Sequence, residues 1–283
     1  MLSIIIPTYN RPQMLYRALS SIKTISSSQV EIIVCDDKST EENKKQNSEI
    51  ICRMRNKLKM QIKYYENNRR KGVSGTRNTA IKLSKGDWIM FLDDDDEFIS
   101  DYIDYITSYL SEQKNVDILW SNVIISKKIG GKELLVRKYF TPRTDEELFR
   151  DLISIGIGYG VVVRKTVFME TGLFNENLQV AEDTDFFFRI IKFNKKIFHV
   201  SNFGVVLHEH DNCKLTKNYK YHAENHIFRN LYRKYFDTIV CYDLLFKSFT
   251  SWISNVYKEN QMGKEVILFH LETVIRNLFH RCI

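Results

Sequence analysis

The sequence predicts an α/β fold: a mostly parallel central sheet with flanking helices, followed by a helical C-terminal region. Three observations carry this expectation. Over residues 1–100, short apolar runs of strand length alternate with stretches whose apolar residues recur at helical spacing. The strand-like runs are apolar throughout, as strands of a parallel sheet covered on both faces must be. Residues 218–283 contain frequent aromatics and no proline, and read as helix throughout.

The elements follow in order. Leu2 to Ile6 is a strand that stops at Pro7, and residues 13–25 form a helix with Met14, Leu15, Ala18, Leu19 and Ile22 on one face. Val30 to Cys35 is a second strand, ending at Asp36-Asp37. A helix striped by Ile50, Ile51, Met54 and Leu58 leads to a third strand, Ile62 to Tyr65. Thr76 to Leu83 is helix, and Trp88 to Leu92 is a fourth strand that runs into Asp93-Asp94-Asp95-Asp96. From residue 101 the pattern loosens. A helix near 101–112 precedes mixed strands around 116–125 and 134–139, with Gly130-Gly131 as a hairpin turn. Gly156-Ile157-Gly158-Tyr159-Gly160 precedes a strand from Val161 to Arg164. A helix through Phe186 to Phe193 and apolar strands through His199 and Leu207 complete this part. No internal repeat is visible.

Length and composition bound the function. At 283 residues the chain fits one large domain, or one domain with an appendage. Hydrophobic residues at 43% and charged residues at 27% exclude wholesale disorder, and only 3 Pro and 11 Gly exclude collagen-like or low-complexity chains. No apolar run approaches the ~18–20 residues of a membrane-spanning helix. Pro7, Asn10 and Arg11 interrupt the first apolar stretch, so no secretion signal is expected. The five cysteines are odd in number and lack CxxC spacing, which argues against a disulfide framework or structural zinc and for a reducing, cytoplasmic setting.

Polar residues cluster where this fold binds ligands. Thr8-Tyr9-Asn10, Asp36-Asp37 and Asp93 to Asp96 each lie just past the carboxyl end of a strand, the edge at which open parallel sheets hold ligands. Four adjacent carboxylates repel one another, and a cation or bound ligand relieves that repulsion. Strand periodicity points Asp93 and Asp95 one way and Asp94 and Asp96 the other. One or two carboxylates together with substrate phosphates is the usual way of holding Mg²⁺ or Mn²⁺; the bland alternative is a solvated acidic turn.

The remaining candidates have two readings each. Asp36-Asp37 either caps the next helix or accepts from a nucleobase N–H or ribose hydroxyls. Arg77, near a helix start, suits a pyrophosphate. Glu182-Asp183-x-Asp185 either caps a helix or supplies a general base. His208 and His210 are either a metal pair on one strand face or surface histidines.

Charge is uneven. Residues 214–283 hold 11 Lys+Arg against 6 Asp+Glu and so carry +5 of the net +7, interleaved with eleven aromatics from Tyr219 to Tyr257. That stretch is expected to pack or oligomerise, or to make peripheral contact with an anionic membrane. Nucleic acid is not an expected partner, because the region before it is nearly charge-balanced.

Taken in order, Ser3–Arg11 (SIIIPTYNR), Val34–Thr40 (VCDDKST), Gly75–Asn78 (GTRN), Phe91–Asp96 (FLDDDD), Gly172–Glu176 (GLFNE) and Glu182-Asp183-x-Asp185 resemble the family 2 glycosyltransferases of the GT-A, Rossmann-like fold. The ordered set spans roughly residues 3–212. The resemblance implies a catalytic domain over 1–213, with a nucleotide-binding half (1–100) and an acceptor-binding half (101–213), and an appended region over 214–283. It implies transfer of a sugar from a nucleotide sugar, usually a UDP-sugar, with inversion, to a hydroxyl of a glycan or lipid-linked acceptor. The implied setting is bacterial surface polysaccharide synthesis, such as capsule or lipopolysaccharide, at the inner face of the cytoplasmic membrane.

Carried over by position, Pro7, Thr8, Tyr9 and Asn10 belong to the nucleotide pocket, and Asp37 accepts from the base. Arg77 lies beside ribose and phosphate. Asp93 to Asp95 form the DxD motif, with Asp93 and Asp94 on the nucleotide side and Asp95 on a Mn²⁺ or Mg²⁺ ion. Asp183 is the catalytic base. His210 completes the metal or phosphate site, with His208 the competing candidate, and Glu182 and Tyr159 are secondary or acceptor-side. Two positions depart from the pattern: the family commonly has Gly where Lys38 stands and Asp where Glu41 stands.

Three rival functions are expected to fail. A sugar-nucleotide nucleotidyltransferase needs a glycine-rich phosphate loop after the first strand, where this chain reads Pro7-Thr8-Tyr9-Asn10-Arg11-Pro12; a dehydrogenase fails likewise, lacking GxGxxG. Intact Asp93, Asp95 and Asp183 argue against a non-catalytic binding protein.

Overall fold

The computed structural model describes residues 1–113, 115–143, 147–148, 151–152, 155–178 and 182–209. All fall within the first of the two units into which the chain divides, Met1–Lys214. The expectations placed on His210 and on 214–283 lie outside the described residues.

The first half alternates as the apolar pattern requires: β1 (Leu2–Thr8), α1 (Pro12–Ser21), β2 (Val30–Asp36), α2 (Glu41–Leu58), β3 (Ile62–Glu66), α3 (Val73–Leu83) and β4 (Trp88–Leu92). The four strands pair in the order β3-β2-β1-β4, all parallel. Every residue of β1, β2 and β4 is buried, which explains their continuous apolar runs. The connections through α1 and α2 step one way along the sheet and the connection through α3 steps back. Right-handed crossovers therefore put α3 on the opposite face. The strand order reverses between β1 and β4, and the crevice beyond their carboxyl ends is the ligand-binding position of such sheets.

Local chemistry sets the boundaries. Pro12 starts α1, where its missing N–H costs nothing. Thr40 caps α2, accepting from the Asn43 N–H, with Glu41 and Glu42 in the first turn and Arg55 and Lys57 in the last. β1 continues through Pro7 to Thr8, past the stop expected from sequence. The Thr8 carbonyl accepts from Asp37 beyond β2, so Pro7 faces the β4 side, where pairing has already ended at Ile5. The missing Pro7 N–H thus removes no ladder bond. Helix α1 ends at Ser21, short of residue 25.

The second half extends the sheet with mixed polarity. Its elements are β5 (Glu97–Phe98), α4 (Tyr102–Glu112), β6 (Ile118–Ile129), β7 (Lys132–Lys138), β8 (Tyr159–Arg164), a helix α5 (Lys165–Thr171), a helix α6 (Glu182–Lys192) and β9 (Ile197–His208). The order continues β4-β8-β6-β9-β5, with β7 on β6. β8 is antiparallel to both β4 and β6, whereas β6 and β9 are parallel. The hairpin at Gly130-Gly131 is as expected, and both glycines have positive φ. The strands expected through His199 and Leu207 are one continuous twelve-residue strand, and α5 and the two-residue β5 were not anticipated. Phe91, Phe168, Phe174 and Phe186 form one aromatic cluster joining β4 to α5 and α6, with Phe168 and Phe186 stacked at 4.8 Å.

Candidate active site

The acidic run turns sharply at the end of β4. Asp93 donates its N–H to the Gly158 carbonyl at 3.2 Å, and Asp96 donates to the Asp93 carbonyl at 3.1 Å. Asp94 and Asp96 are buried and Asp93 and Asp95 partly exposed, the alternation that strand periodicity predicts. Asp94 sits at the reversal point, accepting from the Thr8 hydroxyl at 2.7 Å and pairing with Arg11 at 2.5 Å. Burial pushes its carboxyl up to about 7 against the pull of Arg11 and Thr8. Burial, with Asp95 and Asp93 beside it, pushes Asp96 well above the ordinary range, although it accepts from the His208 N–H at 2.9 Å.

Asp93, Asp95 and Asp96 each offer a carboxylate oxygen, and the three atoms lie within 4.8 Å of one another. An all-oxygen, anionic donor set of this kind suits Mg²⁺ or Mn²⁺. Asp96 joins the set because the turn folds it back, which strand periodicity alone does not reveal.

Three arginines balance this charge. Arg11 reaches Asp95 at 3.0 Å as well as Asp94. Arg17 donates to the Asp95 carbonyl and lies 3.5 Å from Glu97. Arg77, only 4% exposed, donates to Asp93 at 2.8 Å through one nitrogen and to Glu182 at 2.7 Å through the other. Its Nε has no partner among the described residues. Arg77 thus bridges the acidic turn to the start of α6.

At the carboxyl end of β2, Asp37 accepts from the Asn67 side chain at 2.7 Å and from the Gly72 N–H at 2.8 Å, which holds its carboxylate at the crevice. Asp36 points elsewhere, into Ser39, Asn47 and Tyr64, and braces the loop. Pro7 and Thr8 are buried; Tyr9 is exposed, with the Lys71 ammonium 2.9 Å from its hydroxyl and over its ring. Asn10 takes a left-handed backbone and pins β1 to α2, accepting from the Thr40 N–H and from the Asn43 side chain. Lys38 also has positive φ, +63°, a conformation that glycine adopts without strain.

The second carboxylate group comes from α6. Glu182 is buried, and Asp183 beside it is partly exposed, accepting from the Thr184 N–H at 2.7 Å. Burial, then the neighbouring Asp183, push Glu182 up to about 7 despite Arg77. The glycine loop before β8 is packed between the two acidic groups. A Cβ at Gly158 would lie 2.2–2.4 Å from the Asp93 carboxylate, and one at Gly156, whose φ is +81°, would lie 2.9 Å from Asp183. Tyr159 stands beside both. Burial, then Asp96, Asp93, Asp183 and Asp95, raise its phenol, keeping it a hydroxyl at neutral pH.

Asn78 fastens the Gly172–Glu176 segment to α3. It donates to the Phe174 carbonyl and to Glu176, and accepts from the Phe174 N–H. Asp185 pairs with Arg189 on its own helix and carries no part of the site. The His208 imidazole meets Glu97 at 2.8 Å. Arg11 and Asn67 are site residues that the sequence reading does not name as such; it gives Asp96 only as part of the acidic run, and Gly156 and Gly158 only as part of a glycine-rich, acceptor-side stretch. For the two glycines the signal was present, since three glycines in five residues just before a strand is unusual spacing.

The sequence model of Glycosyl transferase family 2 matches residues 3–172. Over 132 residues the chain is 35% identical to the UDP-Glc:alpha-D-GlcNAc-diphosphoundecaprenol beta-1,3-glucosyltransferase WfaP of Escherichia coli, covering 45% of this chain and 47% of that protein. The matched stretches span 31% to 62% of the length of the first curated relatives. Among solved structures, S. aureus TarS 1-349 in complex with UDP-GlcNAc superposes with a TM-score of 0.69 at 19% identity, over 93% of this chain and 77% of that one. The mannosyltransferase PcManGT from Pyrobaculum calidifontis, in complex with GDP-Man and Mn2+, gives 0.61 at 13% identity, over 96% and 79%. These likenesses establish the GT-A fold.

Proposed function

The chain belongs to glycosyl transferase family 2, and from that premise we propose that it is an inverting transferase moving a sugar from a nucleotide sugar, a UDP-sugar by preference, to a hydroxyl of a glycan or lipid-linked acceptor in bacterial surface polysaccharide synthesis. The observation that carries this reading is the Arg77 bridge. One buried guanidinium binds Asp93 of the acidic turn and Glu182 beside Asp183. It thereby holds the donor-side carboxylates and the candidate base in one rigid set, as in-line displacement requires.

In this reading Asp37 accepts from the base, and Pro7, Thr8, Tyr9 and Asn10 form the pocket wall. Asp93, Asp95 and Asp96 would hold Mn²⁺ or Mg²⁺, with His210 as a further ligand; when bound, the ion neutralises charge on the nucleoside diphosphate leaving group. Asp183 takes the proton of the acceptor hydroxyl. Glu182 and Arg77 position Asp183 and Asp93, and the Tyr159 hydroxyl donates into the space between the two carboxylate groups. The diphosphoundecaprenol acceptor in the Escherichia coli relative's name supports a lipid-linked acceptor. Among the described residues no helix is long and apolar enough to cross a membrane. We propose action at the cytoplasmic face of the membrane, where a lipid-linked acceptor is carried.

The test is metal-dependent release of nucleoside diphosphate from a panel of nucleotide sugars, with diphosphoundecaprenol-linked sugar as acceptor and Asp183→Asn as control. The expected result is turnover of one donor that falls at least ~100-fold in the variant while nucleotide binding stays within about twofold. No nucleotide binding with any metal would sink the reading.

A further inference from the structure

The β6–β7 hairpin has no part in the site described, and its composition is unusual for an exposed strand pair. Leu134, Leu135 and Val136 are 49%, 57% and 39% exposed, and Tyr139 just after β7 is 61% exposed. Successive strand residues face opposite sides, so three exposed apolar residues in a row put both faces of β7 in the open. Residues 127–138 carry Lys127, Lys128, Lys132, Arg137 and Lys138 against a single acid, Glu133, which accepts from the Ser126 hydroxyl. An exposed apolar strand is an aggregation liability unless something occupies it.

Strand register places this hairpin at the site. Leu119, Val162 and Met90 lie in one row across β6, β8 and β4, and β4 and β6 run in the same direction. β4 ends two residues beyond that row, at Leu92, where the acidic turn begins, whereas β6 continues ten residues beyond it, to Ile129. Asp96, in the acidic turn, is bonded to His208 opposite Ser126, so the hairpin tip at Ile129 projects three residues, roughly 10 Å along the strand, past the carboxylates. It is also tied to them sideways. Leu135 pairs with Ser126, Ser126 pairs with His208, and the His208 N–H is bonded to Asp96.

We propose that the β6–β7 hairpin is an arm that rests on an anionic lipid bilayer. Leu134, Leu135, Val136 and Tyr139 enter the headgroup boundary, and the exposed Lys128 and Lys132 meet lipid phosphates, whereas Lys127 pairs with Glu209, Arg137 lies over Phe203 and Lys138 over Phe140. The charge balance selects an anionic surface, because each basic residue near such a surface adds attraction and the apolar side chains add burial. The proposal rests on the lipid-linked acceptor reading only for its purpose: the arm holds the site within reach of a hydroxyl carried at the membrane surface. The contact itself is measurable without any substrate.

The test is co-sedimentation of the full chain with phosphatidylglycerol–phosphatidylethanolamine vesicles and with phosphatidylcholine vesicles. It compares the wild type with Leu134→Ser/Leu135→Ser and with Lys128→Gln/Lys132→Gln, with thermal melting and UDP binding as controls on folding. The wild type is expected to bind the anionic vesicles in a salt-sensitive way. The leucine variant should bind at least about tenfold more weakly with unchanged melting and UDP binding, and the lysine variant should lose part of the salt-sensitive fraction. Equal vesicle binding by wild type and leucine variant, or no binding by either, overturns the arm. So does a wild-type dimer in light scattering that the leucine variant dissociates without change in vesicle binding, since a second copy is then the occupant. Weakened vesicle binding in a chain that releases no UDP from any donor upholds the arm and fails the transferase reading alone.

Discussion

Arg11 donates to Asp95 at 3.0 Å, and Asp95 is one of the three carboxylates whose oxygens lie within 4.8 Å of one another. A divalent cation entering that set meets a positive charge already on one of its ligands. Arg11→Gln is therefore expected to bind Mn²⁺ alone about five- to tenfold more tightly than wild type, and Arg11→Lys to stay near wild type. Isothermal titration with Mn²⁺ in the absence of nucleotide checks this. Unchanged affinity in Arg11→Gln would show that the guanidinium does not compete for the site.

Arg77 is buried between two carboxylates, so its removal leaves both without a counter-charge. Arg77→Met is expected to cost about 3–5 kcal/mol, the scale of a broken buried ion pair. Arg77→Lys should recover only part of that loss, because one ammonium cannot span Asp93 and Glu182 as the planar guanidinium does. Urea denaturation of the three proteins measures both effects. A loss under about 1 kcal/mol in Arg77→Met would mean that the bridge contributes little.

Gly158 needs no special backbone; it needs the absence of a side chain. The added methyl of Gly158→Ala meets the Asp93 carboxylate at 2.2–2.4 Å, so the loop or the carboxylate must shift. The expected outcome is a folded protein, destabilised by about 1–3 kcal/mol, whose Mn²⁺-dependent UDP affinity falls at least about tenfold. Fluorescence titration with UDP, with and without Mn²⁺, reads this directly. Retained affinity would place the metal and nucleotide away from Asp93.

Glu182 gives stability a pH signature. Burial and then Asp183 raise it from 4.5 to about 7 in the folded chain. Between those two values the folded chain holds a proton that the unfolded chain has lost. This contribution to stability is therefore complete below 4.5 and is lost as pH rises through about 7. Thermal melts of metal-free wild type should fall across that window, and Glu182→Gln, which cannot ionise, should flatten the fall. An identical slope in the variant would assign the effect to other carboxylates.

Much of the first half could be read directly. β2, β3 and β4 begin where their apolar runs begin, and Asp93 to Asp96 lie at the strand end where they were placed, with alternate carboxylates buried. Lys38 shows a departure whose reason became visible only in the backbone: its φ of +63° is what makes glycine the easier residue there. The second half was harder to read. β8 is antiparallel and inserted between β4 and β6, and β9 reaches the acidic turn only by pairing beside β6.

Sequence by itself determined the alternation of strand and helix, the α/β class and which polar residues stand at strand ends. These properties depend on residues a few positions apart, through strand and helix periodicity and turn chemistry. The tertiary structure alone decided which charges meet. Thr8 and Asp94 are 86 positions apart, Arg77 and Glu182 are 105 apart, and Asp96 and His208 are 112 apart. Such pairs depend on strand order and register across the whole sheet. Local periodicity does not encode that information, and burial then shifts the pKa values once the sheet has closed around these groups.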